Sequence, residues 1–337
     1  MKKEEKSTRA KKRKKFSAKV LITFIIYEFI VAAVTTPLLV FYGPFQNVKK
    51  TIVGTAMATF SHQYIATAFL SKDEISKLIK GDQSGGVSGS ESENLNTIQV
   101  SHASDKGIER YDIHTKKFDG YILEIKDPTR MKIGYTNKIG EVGQRTSEIA
   151  ASNNAVAAVN GGGFTDRSPN NGKLWSGTGA YPEGVVISDG KVVYSDIKDN
   201  ERVNITAFTK DGKLIVGDHT VSDLRKEGVV EAVSFRNTLV INSKPVAVDD
   251  EGLNPRTAIG QKQDGTVIML VIDGRKGLKP GASLKEVQNI LIQQGAVNAS
   301  NLDGGSSSTM YLDGEVINDP CDWNGERTVA TAIYVKP

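Results

Sequence analysis

The stretch NLDGGSSSTMYLDG (301–314) is more specialised than an ordinary loop needs to be. The acid Asp303 precedes two glycines and the four hydroxyl residues Ser306–Thr309, and a second Asp-Gly follows at Asp313. Glycine permits backbone conformations closed to other residues and lets a ligand approach the main chain closely. Asp-Gly is also ordinary turn chemistry. The stretch alone is therefore compatible with a tight turn or with a binding site.

Short β-type runs separated by Gly, Asn and Asp turns surround this stretch and fill residues 98–337. Asp-Gly between apolar runs, as in SDGK (188–191) and KDGK (210–213), is a strong hairpin signal. Two helices are predicted, at about 145–151 and 283–294, the second with a capping box and a glycine stop. The pattern predicts an α+β domain with a mixed, mostly antiparallel sheet and few helices.

Polar residues follow or precede apolar strands at four further places. These places are AAVNGGGF (157–164), NPRTAIG (254–260), VIDGR (271–275) and ERTVATAIYV (326–335). The ends of strands in a rigid sheet are positions from which side chains can be presented to a pocket. The four motifs and the stretch at 301–314 are therefore the candidates for lining a site.

Taken in order, these five motifs resemble the phosphodiester glycosidase domain family. The resemblance covers about residues 100–337, and the ordered set is specific although each motif alone is weak. The family acts on sugars held through phosphodiesters and includes bacterial proteins associated with exopolysaccharide. Two motifs depart from the family's usual wording, NGGGF for NGGFF and DGGSSS for DGGGS. These departures bear on substrate preference more than on fold or chemistry.

The resemblance implies hydrolysis of a sugar-1-phosphodiester, a substrate whose phosphate is already a good leaving group. The site must then neutralise the phosphate and set a carboxylate against an oxocarbenium-like centre. Arg256 and Arg327 suit the first task, since guanidinium pairs bidentately with phosphate oxygens. Asp303 and Asp273 are the catalytic candidates, as nucleophile or as base that activates water. Which acid has which role stays open.

Small residues of the same motifs are assigned to substrate binding. Asn160 and Ser306 would orient the substrate, while backbone N–H groups around Gly161–Gly163 and Gly304–Ser306 would donate to phosphate or sugar oxygens. Each assignment has a structural alternative, because acids before glycine form turns, arginines form ion pairs and serines cap helices. The predicted substrate-binding residues are Asn160, Gly161, Gly162, Arg256, Gly304, Gly305, Ser306 and Arg327.

No catalytic metal or cofactor is predicted. The four histidines show no zinc-binding spacing, and no G-x-S-x-G motif is present in a nucleophile-elbow context. Two oxygen-rich segments, VDDEG (248–252) and TDRSPNNG (165–172), are candidates for a structural calcium ion. Because neither has the EF-hand pattern, solvated loops are the safer interpretation.

The net charge of +4 is concentrated at the N-terminus. Residues 1–19 carry +8, so the remainder carries −4 and shows no nucleic-acid footprint. Cys321 is the single cysteine, which excludes an intrachain disulfide framework.

An apolar run from Val20 to Tyr42 is long enough to cross a bilayer and favours a retained signal-anchor over a cleaved signal peptide. The preceding KKRKK (Lys11–Lys15) places residues 1–19 in the cytoplasm and everything after the span outside the cell. A stalk or interfacial helix is expected at 43–80.

A Gly/Ser-rich linker at 81–97 is expected to precede the domain at 98–337. The leading hypothesis is a membrane-anchored, extracellular glycosidase acting on a phosphodiester-linked sugar, N-acetylglucosamine-like, of a cell-envelope glycopolymer or exopolysaccharide. A non-catalytic envelope protein that binds glycan or phosphopolymer, or that serves in assembly, is the alternative. Cleavage on the P–O side of the phosphodiester is a third possibility.

Overall fold

The computed structural model describes five stretches of the chain: residues 18–57, 63–80, 93–165, 178–248 and 252–337. The chain divides into two compact units, Met1–Lys49 and Lys50–Pro337. Most of the two predicted calcium segments, residues 166–172 and 249–251, lies outside the described residues.

The first unit contains the long helix α1 (Ala18–Tyr42). Within the described residues, Lys19–Tyr42 is the helix long and apolar enough to span a membrane, with a mean hydropathy of 2.1. Its apolar side chains are mostly exposed, as those of a lipid-facing helix would be. An N-terminal signal sequence would satisfy the same criteria.

Short helices lead into the domain: α2 (Gln46–Met57), α3 (Tyr64–Thr67) and α4 (Lys72–Lys80). The first turn of α4 is closed by a capping box, in which the Ser71 N–H donates to Glu74 Oε2 at 2.9 Å. Contacts with the domain begin before the predicted boundary at residue 98. The Asn94 N–H donates to Asn242 Oδ1 at 2.8 Å, and Lys213 Nζ donates to the carbonyl of Leu95 at 3.0 Å.

The domain is built from short strands joined by turns. The strands are β1 (Ile108–His114), β2 (Asp119–Ile125), β3 (Met131–Tyr135), β4 (Gln144–Arg145), β5 (Ala157–Asn160), β6 (Phe164–Thr165), β7 (Tyr181–Pro182), β8 (Val185–Ser188), β9 (Lys191–Ser195), β10 (Val203–Thr209), β11 (Leu214–His219), β12 (Val229–Ser234), β13 (Thr238–Ile241), β14 (Lys244–Pro245), β15 (Arg256–Lys262), β16 (Val267–Ile272), β17 (Ala296–Leu302), β18 (Met310–Leu312), β19 (Glu315–Val316), β20 (Thr328–Val329) and β21 (Thr331–Val335). The helices are α5 (Thr146–Ser152), α6 (Val221–Lys226) and α7 (Leu284–Gln293).

Three sheets carry the architecture. Their strand orders are β1-β2-β16-β15-β17-β13-β14, β11-β10-β12-β8-β9 and β19-β18-β5-β21-β3. Every strand pairing in the described part of the chain is antiparallel, which confirms the predicted mostly antiparallel α+β class.

One face of each sheet contributes to a shared core. Leu123 and Met269 from the first sheet, Phe208 from the second, and Val159 and Ile333 from the third are buried in a single cluster. Burying a large aliphatic or aromatic side chain stabilises the fold by about 1.5–3 kcal/mol. This cluster is therefore the main source of cohesion between the sheets.

A helix covers the other face of each sheet. Val287 and Leu291 of α7 pack on the seven-stranded sheet, Leu224 of α6 packs on the second, and Ala150 of α5 packs on the third. Because both faces of the first sheet are covered, all six residues of β16 are buried. This explains why VIMLVI is continuously apolar rather than alternating.

Local turn and capping signals behave as predicted. In the SDGK hairpin Asp189 and Gly190 have φ values of +49° and +76°, and at the second Asp-Gly of 301–314 Asp313 and Gly314 have +48° and +97°. Two positive φ values are the signature of the tight turn favoured in hairpins. Both predicted helices are present, as α5 and α7. The prediction omitted α6, although Thr220 and Asp223 form its capping box.

Candidate active site

Polar residues meet where the central strands of the first sheet end. Strands β16 and β17 both run antiparallel to β15, which lies between them, so both end at the edge where β15 begins. Asp273 follows β16, Asp303 follows β17, and Arg256 opens β15. Strands lie about 4.8 Å apart, which puts the Cα atoms of the two acids about 10 Å apart.

Asn160, the last residue of β5, joins the third sheet to this edge. Its buried side-chain amide donates to the carbonyl of Asp303 at 2.5 Å. Its Oδ1 accepts from Thr257 Oγ1 at 2.7 Å and from the Thr309 N–H at 3.2 Å. Asn160 therefore positions the backbone on both sides of the DGGSSS segment, and its contacts are with the protein itself.

The glycines after Asn160 pack against two other strands. The N–H groups of Gly161, Gly162 and Gly163 donate to Thr331 O, Thr331 Oγ1 and Ser234 O, at 2.9, 2.9 and 3.0 Å. These three donors, which we expected to bind substrate, are thus used within the fold. A Cβ would lie 2.5 Å from Thr331 Oγ1 at Gly161 and 2.5 Å from Ser234 O at Gly162, so only glycine fits.

Asp303 is half-buried at the centre of the edge, with its N–H donating to Gly161 O at 3.1 Å. Burial raises the pKa of its carboxyl above the ordinary value, while the Ser307 hydroxyl, Arg327 and Arg236 act in the opposite direction. A carboxylate with a raised pKa beside cations is a common feature of catalytic sites. The structure thus places Arg327 close enough to Asp303 to act on its charge, and the roles assigned to the two residues from the sequence stay predictions.

The residues after Asp303 form a tight turn held against the start of β15. The Gly305 N–H donates to Pro255 O at 2.9 Å, and Gly305 has a φ of +64°. A Cβ on Gly304 would lie 2.8 Å from the same Pro255 oxygen. Ser306 is buried and its Oγ accepts from Arg327 Nη1 at 3.2 Å. Arg327 also lies over the ring of Phe164, 5.0 Å from its centroid.

Asp273 has a different set of neighbours. Its Oδ1 accepts from Asn318 Nδ2 at 2.8 Å and its Oδ2 from the Asp319 N–H at 2.9 Å. Burial raises the pKa of Asp273, and these two donors partly offset the effect. Burial and the nearby Asp273 carboxylate raise the pKa of Tyr121 to about 12. The described contacts of Asp273 are those of a group that holds loops together.

Arg256 is buried, with 5% of its surface exposed. Its Nε donates to Ala282 O at 3.2 Å and its Nη2 to Gly252 O at 3.0 Å. At least two of its donors are therefore spent on backbone carbonyls, which fixes the guanidinium at the mouth of β15.

Two arginines that were not assigned to the site also belong to its surroundings. Arg236 follows β12 and lowers the pKa of Asp303, and Arg275 lies close enough to Arg256 and Arg327 for their charges to repel it. The sequence analysis selected polar residues that follow an apolar strand. The same criterion would have found Arg236 in VVEAVSFRN. Arg275 stood in the VIDGR motif without an assigned role.

No cluster of three or more metal-ligating side chains occurs in the described parts of the chain. The three histidines in those parts each lie near one carboxylate. His114 Nδ1, for example, is 2.9 Å from Asp119 Oδ1.

The fold and the site define an antiparallel-sheet domain that holds a carboxylate among arginines. A sequence profile of the phosphodiester glycosidase family matches residues 153–336, more than half of the chain. The chain therefore belongs to the phosphodiester glycosidase family.

Individual relatives carry further information. The chain is 30% identical over 220 residues to the SPbeta prophage-derived uncharacterized protein YomE of Bacillus subtilis (strain 168), covering 62% of this chain and 31% of that protein. It is 28% identical over 179 residues to the mouse N-acetylglucosamine-1-phosphodiester alpha-N-acetylglucosaminidase, covering 45% and 34%. The chain spans about a third of the length of these relatives.

A solved structure has the same fold. It is the zebrafish N-acetylglucosamine-1-phosphodiester alpha-N-acetylglucosaminidase catalytic domain, auto-inhibited by its pro-peptide. The TM-score is 0.57 at 23% identity, and the match covers 71% of this chain and 87% of that one.

Proposed function

We propose that this protein is a glycosidase that hydrolyses a sugar-1-phosphodiester, N-acetylglucosamine-like in its sugar. The observation that carries the proposal is the position of Asp303, half-buried on a glycine-lined turn and close enough to Arg327 and Arg236 to feel both charges. Membership of the phosphodiester glycosidase family and the likeness to the mouse enzyme support the same reaction class.

The reaction breaks the bond between the anomeric carbon and the phosphodiester oxygen. The electron pair leaves with the phosphomonoester, whose growing negative charge Arg327 is placed to neutralise. Asp303 either attacks the anomeric carbon or takes a proton from the water that attacks it. In both versions water supplies the hydroxyl of the released sugar, and Asp303 must be ionised before it acts.

The fixed hydroxyl and amide groups hold this arrangement. Ser306 fixes the Arg327 guanidinium at 3.2 Å, and Asn160 fixes the Asp303 backbone at 2.5 Å. Catalytic groups whose supporting contacts are rigid lose less free energy to reorganisation in the transition state. Asn160 is thus a positioning residue in this proposal. Ser306 does the same for Arg327.

The setting of the reaction belongs to the proposal as well. The basic residues 1–19 followed by the apolar helix α1 favour a single-pass anchor with the domain outside the cell. A domain displayed there would meet phosphodiester-linked sugars of the cell-envelope glycopolymer or exopolysaccharide. A structural calcium ion bound by the segments at 165–172 and 248–252 remains a prediction.

Sugar release from defined sugar-1-phosphodiesters by the detergent-solubilised full chain tests the reaction. The water should carry ¹⁸O, because cleavage at the anomeric carbon leaves the phosphomonoester unlabelled whereas cleavage at phosphorus puts the label into it. Sugar release with an unlabelled phosphomonoester is the expected result. A folded protein that releases no sugar from a broad panel contradicts the enzymatic proposal.

The alternative, a non-catalytic protein that binds glycan or phosphopolymer, is separated by Asp303→Asn. This change keeps the shape of the side chain and removes its charge. The enzymatic proposal expects loss of turnover with retained substrate binding. Asp313→Asn is the matched control, because Asp313 also precedes a glycine but is exposed in a hairpin turn.

A further inference from the structure

Arg275 occupies an unusual place at the end of β16. Its φ of +58° lies in the left-handed region, which residues other than glycine adopt uncommonly. Such backbone strain persists only where the surroundings hold it, and it concentrates at functional sites. The strained backbone turns the chain directly after Asp273, the residue that anchors this end of the strand.

The Arg275 guanidinium lies against the turn that follows Asp303. Nη2 donates to Asn254 Oδ1 at 2.7 Å. Nη1 lies 3.2 Å from the position that a Cβ on Gly305 would take. A side chain at residue 305 would therefore crowd the guanidinium, and glycine leaves Arg275 close to the backbone beside the catalytic candidate.

No carboxylate forms an ion pair with Arg275 among the residues that the structure describes. Its Nε is buried and has no hydrogen-bond acceptor there. Burial raises the pKa of the adjacent Cys321 thiol, so this neighbour is uncharged at neutral pH. Arg275 itself stays charged because the guanidinium group does not lose its proton in proteins at neutral pH.

The positive charge of Arg275 is therefore costly in the ligand-free protein. Burial lowers the pKa of Arg275, and repulsion from Arg256 and Arg327 adds to the effect. Breaking or omitting one partner of a buried ion pair leaves an uncompensated charge, which is strongly destabilising. An anion bound beside the Gly304–Gly305 turn would remove this cost.

We propose that Arg275 binds a phosphate oxygen of the substrate beside the Gly305 backbone. The proposal deepens the proposed function and rests on it for the identity of the anion. A guanidinium already oriented by Asn254 loses little side-chain entropy when it binds phosphate. Arg275 is then the binding residue that neutralises the leaving phosphomonoester together with Arg327.

Inorganic phosphate is the probe that tests this role without any turnover. Its dissociation constant is measured by isothermal titration calorimetry on the full chain in detergent, for the wild type, Arg275→Gln and Arg275→Lys. Loss of a charge-assisted hydrogen bond should weaken phosphate binding about 10- to 100-fold in Arg275→Gln. Arg275→Lys, which keeps the charge but loses the planar fork, should fall between.

Arg225→Gln is the control, because Arg225 is an exposed arginine paired with Asp199 at 2.9 Å. It should bind phosphate as the wild type does. Unchanged phosphate affinity in folded Arg275→Gln would overturn the proposal, and if that variant does not fold, unchanged affinity in Arg275→Lys would do so.

A thermal melt distinguishes binding from a merely structural role. Arg275→Gln should lose the rise in Tm that phosphate produces, while its ligand-free Tm stays equal or rises, because an uncompensated cation is gone. A structural arginine would give the reverse pattern, a lower ligand-free Tm and an intact phosphate-induced rise. Sugar release is not used in either measurement, so failure of the hydrolysis proposal would be seen separately.

Discussion

Asp303 is held in two opposing environments. Burial raises its pKa, and the cations Arg327 and Arg236 lower it without cancelling the shift. A carboxyl with a raised pKa in the folded state binds its proton more tightly there than in the unfolded chain. The folded state therefore loses stability as the pH rises from the ordinary carboxyl pKa to the raised one, and the loss persists above it.

Asp303→Asn is predicted to abolish most activity and to leave stability equal or higher. Loss of a nucleophile or base should lower kcat by at least about 100-fold. The Tm at pH 7 should match or exceed that of the wild type, and any gain should vanish below pH 3.8, the ordinary Asp pKa. Kinetics and thermal melts across pH check both parts. A lower Tm at pH 7 would contradict this account of Asp303.

The pH profile of the wild type is a second expected outcome. Because Asp303 must be ionised as nucleophile or base, kcat/KM should rise with pH through its pKa. The midpoint should lie above the ordinary carboxyl value of 3.8, as burial dictates. Initial rates over pH 3–8 at constant ionic strength measure it. A profile flat across this range would argue against Asp303 as the ionising group.

Asp273 contacts Asn318, which in turn holds the backbone of residues 308–310. Asn318 donates to Asp273 Oδ1 at 2.8 Å and to Ser308 O at 3.1 Å, and it accepts from the Met310 N–H at 2.7 Å. One amide thus ties the end of β16 to both sides of residue 309. We interpret Asp273 as a positioning residue, which differs from the catalytic role predicted for it.

Asn318→Ala is predicted to lower the free energy of unfolding by about 1–3 kcal/mol, since it removes the Asn318 donor from Asp273 Oδ1 and the Asp319 N–H contacts only Oδ2. Urea denaturation measures the loss. Asp319→Asn is the control, because the Asp319 side chain is largely exposed and its backbone N–H makes the contact. That control should change stability by no more than about 0.5 kcal/mol. Equal effects of the two changes would refute the inference that the Asn318 side chain holds Asp273 to the backbone at residues 308–310.

At the scale of elements, the glycine loop after β5 is the joint between sheets. Gly161 and Gly162 donate to Thr331 of β21 and Gly163 donates to Ser234 of β12, and Gly161 O also accepts from the Asp303 N–H at 3.1 Å. Side chains at these positions would separate the strands. The loop therefore sets the position of Asp303 through packing, and its N–H groups are not available to a ligand.

Gly161→Ala is predicted to destabilise the domain and to disturb the site. Its Cβ would lie 2.5 Å from Thr331 Oγ1, and overpacking of this kind costs about 1–3 kcal/mol or more. Gly120→Ala is the matched control, since its nearest atom would be at an ordinary 3.5 Å. Denaturation midpoints and phosphate affinity measure both effects. A stable Gly161→Ala protein with normal affinity would show that the joint can relax.

At the scale of the whole molecule, the apolar helix α1 is the candidate membrane anchor. A retained anchor predicts that the protein resists carbonate extraction and that an N-terminal tag stays with the membrane. Ile30→Lys should release part of the protein, because a lysine at the helix centre costs roughly 2.5–3.5 kcal/mol on insertion scales. Ile30→Leu is the control. Recovery of the domain without its N-terminal tag would instead indicate a cleaved signal sequence.

The elements that the sequence predicted well are those whose cause is local. The Asp-Gly hairpin at 188–191, the capped helix α7 and the apolar helix α1 follow from turn chemistry, capping and hydropathy over a few residues. The short helix α6 carries the same kind of signal, in Thr220 and Asp223, and was overlooked. Local rules thus reach most of the secondary structure.

The candidate site was predictable only in part. The order of motifs drew attention to Asp303 and Arg327, and the structure places them together. The partners of the glycine N–H groups, Thr331 and Ser234, lie far along the chain, so no local pattern reveals that those donors are used. Arg236, by contrast, directly follows an apolar strand in VVEAVSFRN, so a local rule could have found it.

The sequence by itself determined the class of fold, the apolar N-terminal helix and the acid at the head of DGGSSS, because hydropathy, turn preference and motif order are written in neighbouring residues. Only the tertiary structure decided which polar groups face the site and which hold it together. The tertiary fold places Asp303 near Arg327 and Arg275 next to Gly305, whereas Asp273 accepts a hydrogen bond from Asn318. Those contacts join segments far apart in the chain.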